Sequence, residues 1–236
     1  MKKITFSPLG DHAIIIDFGD GTSLEKNHFI HKYRQMIESS PFPGFIEAIP
    51  AYTTLTIFYN PTVVGTDFPY KTVKKRLQRF SFPANTSTNY KKKVEIPVCY
   101  EEPFALDLKI VSNHTQMPVE EVIKLHCDNI YHVHFLGFSP GFPFLGGMKK
   151  KLAIPRKSSP RLKVPRGSVG IAGDQTGVYP LASPGGWQII GRTPLKLFDV
   201  DSAPITLISP GDQVQFIPIS TEEFLSLEEE LWQSKY

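Results

Sequence analysis

The sequence lacks the compositional features that mark several specialised classes of protein. Among its 236 residues only two are cysteine, Cys99 and Cys127, which excludes a disulfide scaffold. Its longest apolar runs, such as "AIII" from Ala13 to Ile16, last only a few residues, so no membrane span is expected. The net charge of +3 is too small to favour a nucleic-acid-binding protein. These absences predict a soluble, cytoplasmic protein.

Sequence motifs of several enzyme classes are also missing. There is no phosphate-binding GxxxxGKS/T loop and no GxGxxG fingerprint. Ser168 in "RGSVG" lacks the strand-turn-helix context of a nucleophile elbow, which disfavours a serine hydrolase. Cys99 and Cys127 lie in apolar surroundings, which disfavours a reactive thiolate. The segment "HCDNIYHVH" carries His126, His132 and His134 but no CxxC or HExxH spacing, so no metal site is expected. By spacing alone His126 is a core histidine or a polar group at the floor of a pocket, and the first interpretation is favoured.

The N-terminal part of the chain alternates strand and helix patterns. "HAIIIDFG" is typical of a buried strand, and "TTLTIFYN" alternates as a half-buried strand does. Between them Thr22 and Glu25 form a capping-box pattern, which predicts the start of a helix. A second amphipathic helix is predicted from Pro69 to Phe80. We therefore expect a small α+β domain over residues 1–84.

The rest of the chain has the pattern of a mainly-β domain. Residues 85–93 have the polar composition of a linker, which places the second domain at 94–236. This domain opens with the strand "VEIPVCY" and two short helices, the second starting at Pro118. Beyond Tyr131 short strands alternate with Gly/Pro turns, which predicts a barrel or a sandwich. "GDQVQFIPI" is expected to be the closing strand, and a short helix is expected from Thr221.

Glycine, proline and positive charge concentrate in one part of the second domain. Eleven of the 17 glycines lie between Gly137 and Gly191, where they indicate either tight turns or close approach of the backbone to a ligand. The segment 149–166 holds eight Lys or Arg residues and no acidic residue. Arg156 and Arg161 each follow a proline, which restrains the backbone before a guanidinium group suited to a carboxylate or phosphate. The segment is either an anion-binding loop or a solvated surface, and nucleic acid is not an expected ligand.

Five stretches of the chain are particular enough to indicate a family: "PFPGFIEAIPAYTTLTIFY", "VEIPVCY", "LGFSPGFPFLGG", "PRKSSPRLKVPRGSVGIAGDQTGVYP" and "SPGGWQIIGRTPLKLF". They resemble the family of 5-oxoprolinase B subunits, which includes the KipI inhibitors of sensor histidine kinases and is also called allophanate hydrolase subunit 1. The resemblance spans nearly the whole chain and implies a cyclophilin-like β-barrel as the second domain. It also implies a subunit, inactive alone, that opens 5-oxo-L-proline to L-glutamate with ATP. Its partners would be the A and C subunits of the enzyme, of which the second is also cyclophilin-like.

The resemblance further implies roles for residues of the second domain. Arg156 and Arg161 would hold anionic groups, and His126 becomes a member of the pocket, so these three are the expected catalytic residues. ATP, with Mg²⁺, would be shared with a partner subunit, and no metal is expected in this chain. The residues expected to contact the substrate are Gly141, Phe142, Gln175, Thr176, Gly177, Tyr179, Gly185, Gly186 and Trp187.

Two other functions remain open at this point. A KipI-like inhibitor would need an exposed apolar patch, for which "GFSPGFPFLGG" is the candidate. Half of a biotin-dependent urea-type carboxyltransferase would need a biotin carboxylase partner. The chain departs from the family after "PVCY", where Glu101, Glu102, Ala105 and Leu106 replace a Gly-Gly pair and the Gly-Pro of a Phe-Gly-Pro-Asp-Leu motif. The clustered glycines and arginines favour the enzyme subunit, because binding to a helix bundle requires neither.

Overall fold

The computed structural model describes residues 4–80 and 92–233, and the chain divides into two compact units, Met1–Asn89 and Tyr90–Tyr236. All but the last two residues of the predicted linker, 85–93, lie outside the described residues. Within the described ranges, every helix is too short or too polar to cross a membrane.

The described part of the N-terminal unit consists of a four-stranded antiparallel sheet and three helices. Its elements are β1 (Thr5–Leu9), β2 (Ala13–Asp17), α1 (Leu24–Ser39), β3 (Phe45–Pro50), β4 (Thr54–Tyr59), α2 (Pro61–Val64) and α3 (Pro69–Leu77). The four strands lie in the order β1-β2-β4-β3, so two hairpins join at the β2–β4 pair. Ile14 and Ile57 of the sheet, with Tyr33 of α1 and Leu77 of α3, belong to its buried core. The strands and helices predicted for this region are confirmed, with small shifts at their ends.

Helix α1 is capped one residue later than the sequence pattern predicts. Its N-cap is Ser23, whose hydroxyl oxygen accepts a hydrogen bond from the Lys26 N–H at 3.2 Å. The Lys26 ammonium group donates to three carbonyl oxygens of the loop 19–21, at 2.7–2.8 Å. These bonds fix the loop before the helix, and we attribute the position of the cap to them. Thr22 as the N-cap was therefore wrong, although the helix itself is confirmed.

The C-terminal unit contains the remaining strands and helices of the described chain. Its strands are β5 (Lys93–Cys99), β6 (Tyr131–Leu136), β7 (Pro143–Gly146), β8 (Arg161–Val164), β9 (Ser168–Ala172), β10 (Gln175–Val178), β11 (Ser183–Gly185), β12 (Gln188–Arg192) and β13 (Gln213–Ile219). Its helices are α4 (Leu108–Thr115), α5 (Val119–Cys127) and α6 (Thr221–Gln233), with a 3₁₀ helix at Lys150–Leu152. The helices predicted near Pro118 and from Thr221 are confirmed.

Strands of this unit close into a barrel in the order β10-β7-β6-β13-β5-β12-β9. The closing strand β13 runs parallel to β5 and antiparallel to β6, which confirms the role predicted for "GDQVQFIPI". Val169, Ile171, Val178 and Phe216 are fully buried in the core of the unit. The chain is therefore a mixed α/β protein with a closed barrel, and the alternative of a sandwich is excluded.

Strands β8 and β11 pair with each other outside the barrel. Gly185 lies opposite Arg161 in this antiparallel ribbon, and Ser183 lies opposite Val164. The ribbon brings the basic segment before β8 next to the turn that follows β11. The Lys157 N–H, for example, donates to the carbonyl oxygen of residue 186 at 2.7 Å. Two glycine- and proline-rich segments that are distant in sequence thus form one surface.

Candidate functional site

A cavity of about 220 Å³ lies in the C-terminal unit, where residues 138–144, the segment 156–160 and the turn 184–187 meet. Five of its ten lining residues are aromatic, and one guanidinium group lies at it. The residues predicted as site residues that line it are Phe142, Arg156, Tyr179, Gly185, Gly186 and Trp187. The lining is completed by Phe138, Phe144, Pro160 and Pro184.

Phe142 is the centre of the aromatic wall. Its ring makes edge-to-face contacts with Phe138, Phe144, Tyr179 and Trp187, at centroid distances of 5.1–5.5 Å. Such pairs each add about 0.5–1.5 kcal/mol beyond the burial of apolar area. Because every ring of the wall touches the same central ring, the shape of the cavity is set before any ligand binds.

Two glycines allow the aromatic rings to approach each other this closely. A Cβ on Gly177 would lie 3.1 Å from Phe142 Cζ and 3.2 Å from Trp187 Cζ3, so Gly177 lies behind the wall. A Cβ on Gly185 would overlap the hydroxyl group of Tyr179. The packing of the rings therefore explains the glycines at these two positions.

Arg156 supplies a positive charge at the cavity. Its side chain is exposed to solvent and borders the cavity beside the Tyr179 ring. Burial raises the pKa of Tyr179, and a backbone hydrogen bond from Trp187 with the charges of Arg156 and Arg161 opposes this only in part, so the phenol is neutral at physiological pH. The cavity thus combines a neutral phenol with a guanidinium group that is able to pair with an anion.

Arg161, the other arginine predicted to bind an anion, is paired within the protein. Its Nη1 and Nη2 atoms each donate to a different carboxylate oxygen of Asp107, both at 2.7 Å. Asp107 is 1% exposed and also accepts from Lys157 Nζ at 3.3 Å and from the Ile189 N–H at 2.7 Å. Arg161 is therefore a structural partner of Asp107 in this fold, and the anion-binding role predicted for it from the sequence stays a prediction.

The Asp107 carboxylate is held in its charged form. Burial acts to raise its pKa, but the hydrogen bonds from Arg161 and the Ile189 N–H, with the charges of Arg161 and Lys157, outweigh burial and lower the pKa. The same bonds raise the pKa of Arg161. The positive charge of Arg161 is consequently neutralised before a ligand arrives, and much less of the basic segment faces the cavity than its composition suggests.

His126 is fully buried and hydrogen-bonded through both ring nitrogens. Its Nε2 lies 2.9 Å from the Thr176 hydroxyl, which donates to the Gly170 carbonyl oxygen at 3.1 Å. Because a hydroxyl has only one hydrogen, Thr176 must accept its other bond from an Nε2–H. Nδ1 is then an acceptor, and the Tyr100 hydroxyl, 2.8 Å away, donates to it.

Cys127 begins this chain of hydrogen bonds. Its thiol donates to the Tyr100 oxygen at 3.4 Å. Burial lowers the pKa of His126 to about 3, and burial also raises the pKa of Tyr100 well above its usual value. All members are therefore neutral near pH 7. His126 and Thr176 join α5 to β9 and β10, and neither lines the cavity. The catalytic and substrate-binding roles predicted for them stay predictions.

Gly141 and Gln175, two further predicted contacts of the substrate, also lie outside the lining of the cavity. Gly141 packs against the side chain of Phe198, with φ +77°. Gln175 begins β10 and pairs with Ala172 of β9 in the hairpin. The site that the structure forms is thus narrower than the predicted one: an aromatic pocket, the backbone of residues 185 and 186, and Arg156.

The comparisons with known proteins agree with the sequence motifs. Residues 4–208 match the family described as carboxyltransferase domain, subdomain C and D. The chain is 48% identical over 229 residues to the B subunit of 5-oxoprolinase from Bacillus subtilis (strain 168), covering 94% of this chain and 95% of that protein. The chain belongs to the family of 5-oxoprolinase B subunits. The family indicated by its motifs is therefore confirmed.

Structures similar to this member of the 5-oxoprolinase B-subunit family occur within longer chains. The crystal structure of TTHA0988 has a TM-score of 0.77 and 34% identity, covering 88% of this chain and 40% of that one. The urea carboxylase of Kluyveromyces lactis has a TM-score of 0.79 at 21% identity, covering 96% of this chain and 23% of that one. The second comparison shows a shared fold alone. In both cases a counterpart of this chain is one part of a larger polypeptide.

Sequence reasoning did not single out five residues that matter to the site. Four of them line the cavity: Phe138, Phe144, Pro160 and Pro184. They lie within the glycine- and proline-rich segments, so composition indicated the segments but not which side chains face the cavity. The fifth, Asp107, stands at the Asp of the Phe-Gly-Pro-Asp-Leu motif, but its role could not be read there because its partners Lys157 and Ile189 are 50 and 82 residues away.

Proposed function

We propose that this chain is the B subunit of an ATP-dependent 5-oxoprolinase, which opens 5-oxo-L-proline to L-glutamate together with the A and C subunits. The observation that carries the proposal is the 48% identity to a protein named as the B subunit of 5-oxoprolinase, along 95% of that protein's length. The cavity supports it by offering a site of suitable size and chemistry. In this proposal the chain acts as part of a hydrolase complex.

The cavity offers a counterpart to each part of 5-oxoproline, a five-membered lactam ring that carries a carboxylate. The rings of Phe142, Tyr179 and Trp187 supply flat apolar surface for the substrate ring. Arg156 is placed to pair with the carboxylate. The volume of about 220 Å³ is below the roughly 300 Å³ from which drug-sized sites begin, so a metabolite of few atoms fits it best.

Opening a lactam is difficult because its carbonyl carbon is a poor electrophile. We propose that the carbonyl oxygen attacks the γ-phosphorus of ATP and displaces ADP, which makes that carbon reactive towards water. After water adds, the C–N bond breaks with a proton going to nitrogen, and a second water releases phosphate from the acyl group. The share of this chain is to hold the carboxylate with Arg156 and to orient the ring against the aromatic wall.

ATP and its Mg²⁺ are assigned to a site shared with the partner subunits. A cavity sized for a small metabolite does not hold a whole nucleotide, so we place only the lactam in this chain. The remaining groups would come from the A and C subunits, the second of which we take to have a cyclophilin-like barrel, as we propose for this chain. The chain alone is therefore expected to be inactive.

The test is conversion of 5-oxo-L-proline to glutamate by this chain mixed with its cognate A and C subunits, ATP and Mg²⁺. Each of the three proteins is omitted in turn, and glutamate is measured by chromatography. Turnover that requires all three proteins supports the proposal. An assembled complex that produces no glutamate, or one that is equally active without this chain, contradicts it.

A second candidate function is inhibition of a sensor histidine kinase by direct binding. Two large apolar side chains favour it, since Phe138 is 69% exposed and Leu162 is 93% exposed. If the assembled complex does not turn over, the next assay is kinase autophosphorylation with this chain added. The third alternative, half of a urea-type carboxyltransferase, requires ATP-dependent carboxylation of urea in the presence of a biotin carboxylase.

A further inference from the structure

Asp107 connects two neighbouring segments of the cavity wall. On one side its carboxylate accepts from Arg161 and Lys157, which belong to the segment that carries Arg156. On the other side the Ile189 N–H donates to this carboxylate at 2.7 Å, and the Asp107 N–H donates to the Ile189 carbonyl oxygen at 2.7 Å. Asp107 and Ile189 therefore each donate one hydrogen bond to the other, and Ile189 lies two positions after Trp187 on the aromatic wall.

Two further hydrogen bonds join the same segments. The Lys157 N–H donates to the carbonyl oxygen of Gly186 at 2.7 Å. The Gln188 side-chain amide donates to the Pro155 carbonyl oxygen at 3.2 Å. Neither bond is charged, and the β8–β11 pairing is also made of neutral bonds, so the carboxylate of Asp107 adds the stronger, charged hydrogen bonds to this connection.

We propose that Asp107 is a positioning residue of this site: it fixes Arg156 on segment 155–161 relative to the aromatic wall that ends at Trp187. Asp107 does not line the cavity itself, so it acts through Lys157, Arg161 and Ile189. Its effect on the reaction rests on the proposed function, whereas its effect on the two segments does not.

Asp107→Asn is the variant that removes the charge and keeps the shape. An amide presents an NH₂ group where one carboxylate oxygen now accepts, so Arg161 meets a donor and loses half of its paired contact. The segment 155–161 is then free to shift, and Arg156 moves with it. Loss of a hydrogen bond between a charged group and its ligand costs roughly 10- to 100-fold in affinity, so a rise in KM of that size is expected.

Asp212→Asn is the matched control. Asp212 is also 1% exposed, accepts from a backbone N–H at 2.8 Å and lies 3.9 Å from a lysine ammonium group, Lys92. Its hydrogen bonds hold the turn before β13 and join it to Val133, and within the described part of the chain they reach neither wall segment. This variant loses the same kind of buried carboxylate and is expected to keep the KM of the unaltered protein.

The experiment measures KM and kcat for 5-oxo-L-proline in the complex with the A and C subunits. Amide hydrogen exchange of the chain is measured beside it. Asp107→Asn is expected to raise KM with kcat within about threefold, and to speed exchange at the N–H groups of Lys157 and Ile189. In Asp212→Asn, the rate of amide hydrogen exchange is expected to rise only in the turn before β13 that Asp212 stabilises.

Three outcomes overturn the proposal: unchanged KM and exchange in Asp107→Asn, an equal rise of KM in the control, or a loss confined to kcat. If the unaltered complex is inactive, the proposed function fails, and the exchange rates still decide the positioning role. If Asp107→Asn does not fold, Lys157→Met replaces it in the test. This variant removes the hydrogen bond from Lys157 Nζ to Asp107 but keeps an apolar side chain of similar length next to Arg156. A smaller rise in KM and faster exchange at 155–161 are then expected, and no change in either contradicts the proposal.

Discussion

The Thr176 hydroxyl and the Nε2 atom of His126 lie 2.9 Å apart inside the barrel, and the direction of the hydrogen bond between them is fixed. The Thr176 hydroxyl donates its single hydrogen to the Gly170 carbonyl oxygen, so His126 must be the donor in the bond to Thr176. A second proton, on Nδ1, would face the Tyr100 hydroxyl that now donates to that atom. The network and the burial therefore oppose a charged imidazole together, in line with the low pKa of His126.

The low pKa of His126 predicts that acid destabilises the fold. An unfolded histidine has a pKa of about 6.5, so between that pH and about 3 the unfolded chain binds a proton that the folded chain does not. Stability is complete above the unfolded pKa and falls on acidification, by up to about 1.4 kcal/mol per pH unit for this group. In His126→Gln the free energy of unfolding, from urea titrations between pH 4.5 and 7.5, should depend less on pH. His114→Gln, at an exposed histidine, should keep the original slope, and an unchanged slope in His126→Gln would show that this imidazole is not held neutral.

Arg156 and Arg161 are expected to respond differently to removal. Arg156→Ala should abolish binding of 5-oxo-L-proline in the complex and leave the urea midpoint nearly unchanged, because the side chain is exposed. Arg161→Ala should lower the free energy of unfolding by about 2 kcal/mol, because it leaves the buried Asp107 carboxylate without its two-pronged partner. Lys163→Ala, an exposed cation of β8 outside the cavity lining, is the control for lost charge. Equal stability losses in the two arginine variants would contradict these assignments.

Phe138 is held in an unusual backbone conformation at the cavity. Its φ is +68°, and the Ser139 N–H donates to the Gly137 carbonyl oxygen at 2.8 Å across it, which forms a strained γ-turn. Phe138→Gly relieves this strain, whereas Phe138→Ala keeps it. We expect the glycine variant to be more stable than the alanine variant by about 1 kcal/mol, measured by urea unfolding. Both variants remove the Phe138 ring from the cavity wall, so both should bind 5-oxo-L-proline more weakly. Unchanged binding in both would show that the strained position of Phe138 does not contribute to ligand binding.

Gly185 and Gly186 are adjacent glycines with unequal tolerance to a side chain. A Cβ at 185 overlaps the Tyr179 hydroxyl, whereas a Cβ at 186 would have its nearest neighbour, Pro160, at 3.6 Å. Gly185→Ala should therefore displace the Tyr179 ring and lower the free energy of unfolding by about 1–3 kcal/mol. Gly186→Ala should change it by less than about 0.5 kcal/mol. Thermal unfolding of the two variants side by side gives the answer, and a reversed order would mean that Tyr179 does not occupy this position.

The sequence alone determined most of the local structure and the family. Alternating apolar residues in "TTLTIFYN" and the helical period after Pro69 predicted β4 and α3, because one face of each element is buried against the core. The barrel strands could be placed but not their order, since the pairing of β5 with β13 joins residues more than 100 positions apart. The glycine-rich motifs indicated where a site lies because tight packing restricts those positions to one residue type.

Only the tertiary structure decided which charged and polar side chains remain available to a ligand. Arg156 and Arg161 look alike in sequence, since each follows a proline, yet only Arg161 meets the buried carboxylate of Asp107. His126 looks like a pocket residue by its family motif, yet both of its nitrogens are bonded inside the barrel. Hydrogen bonds and ion pairs between distant segments depend on where the fold places both partners. For that reason composition and spacing indicated these segments, and contacts across the barrel determined which of their side chains line the cavity.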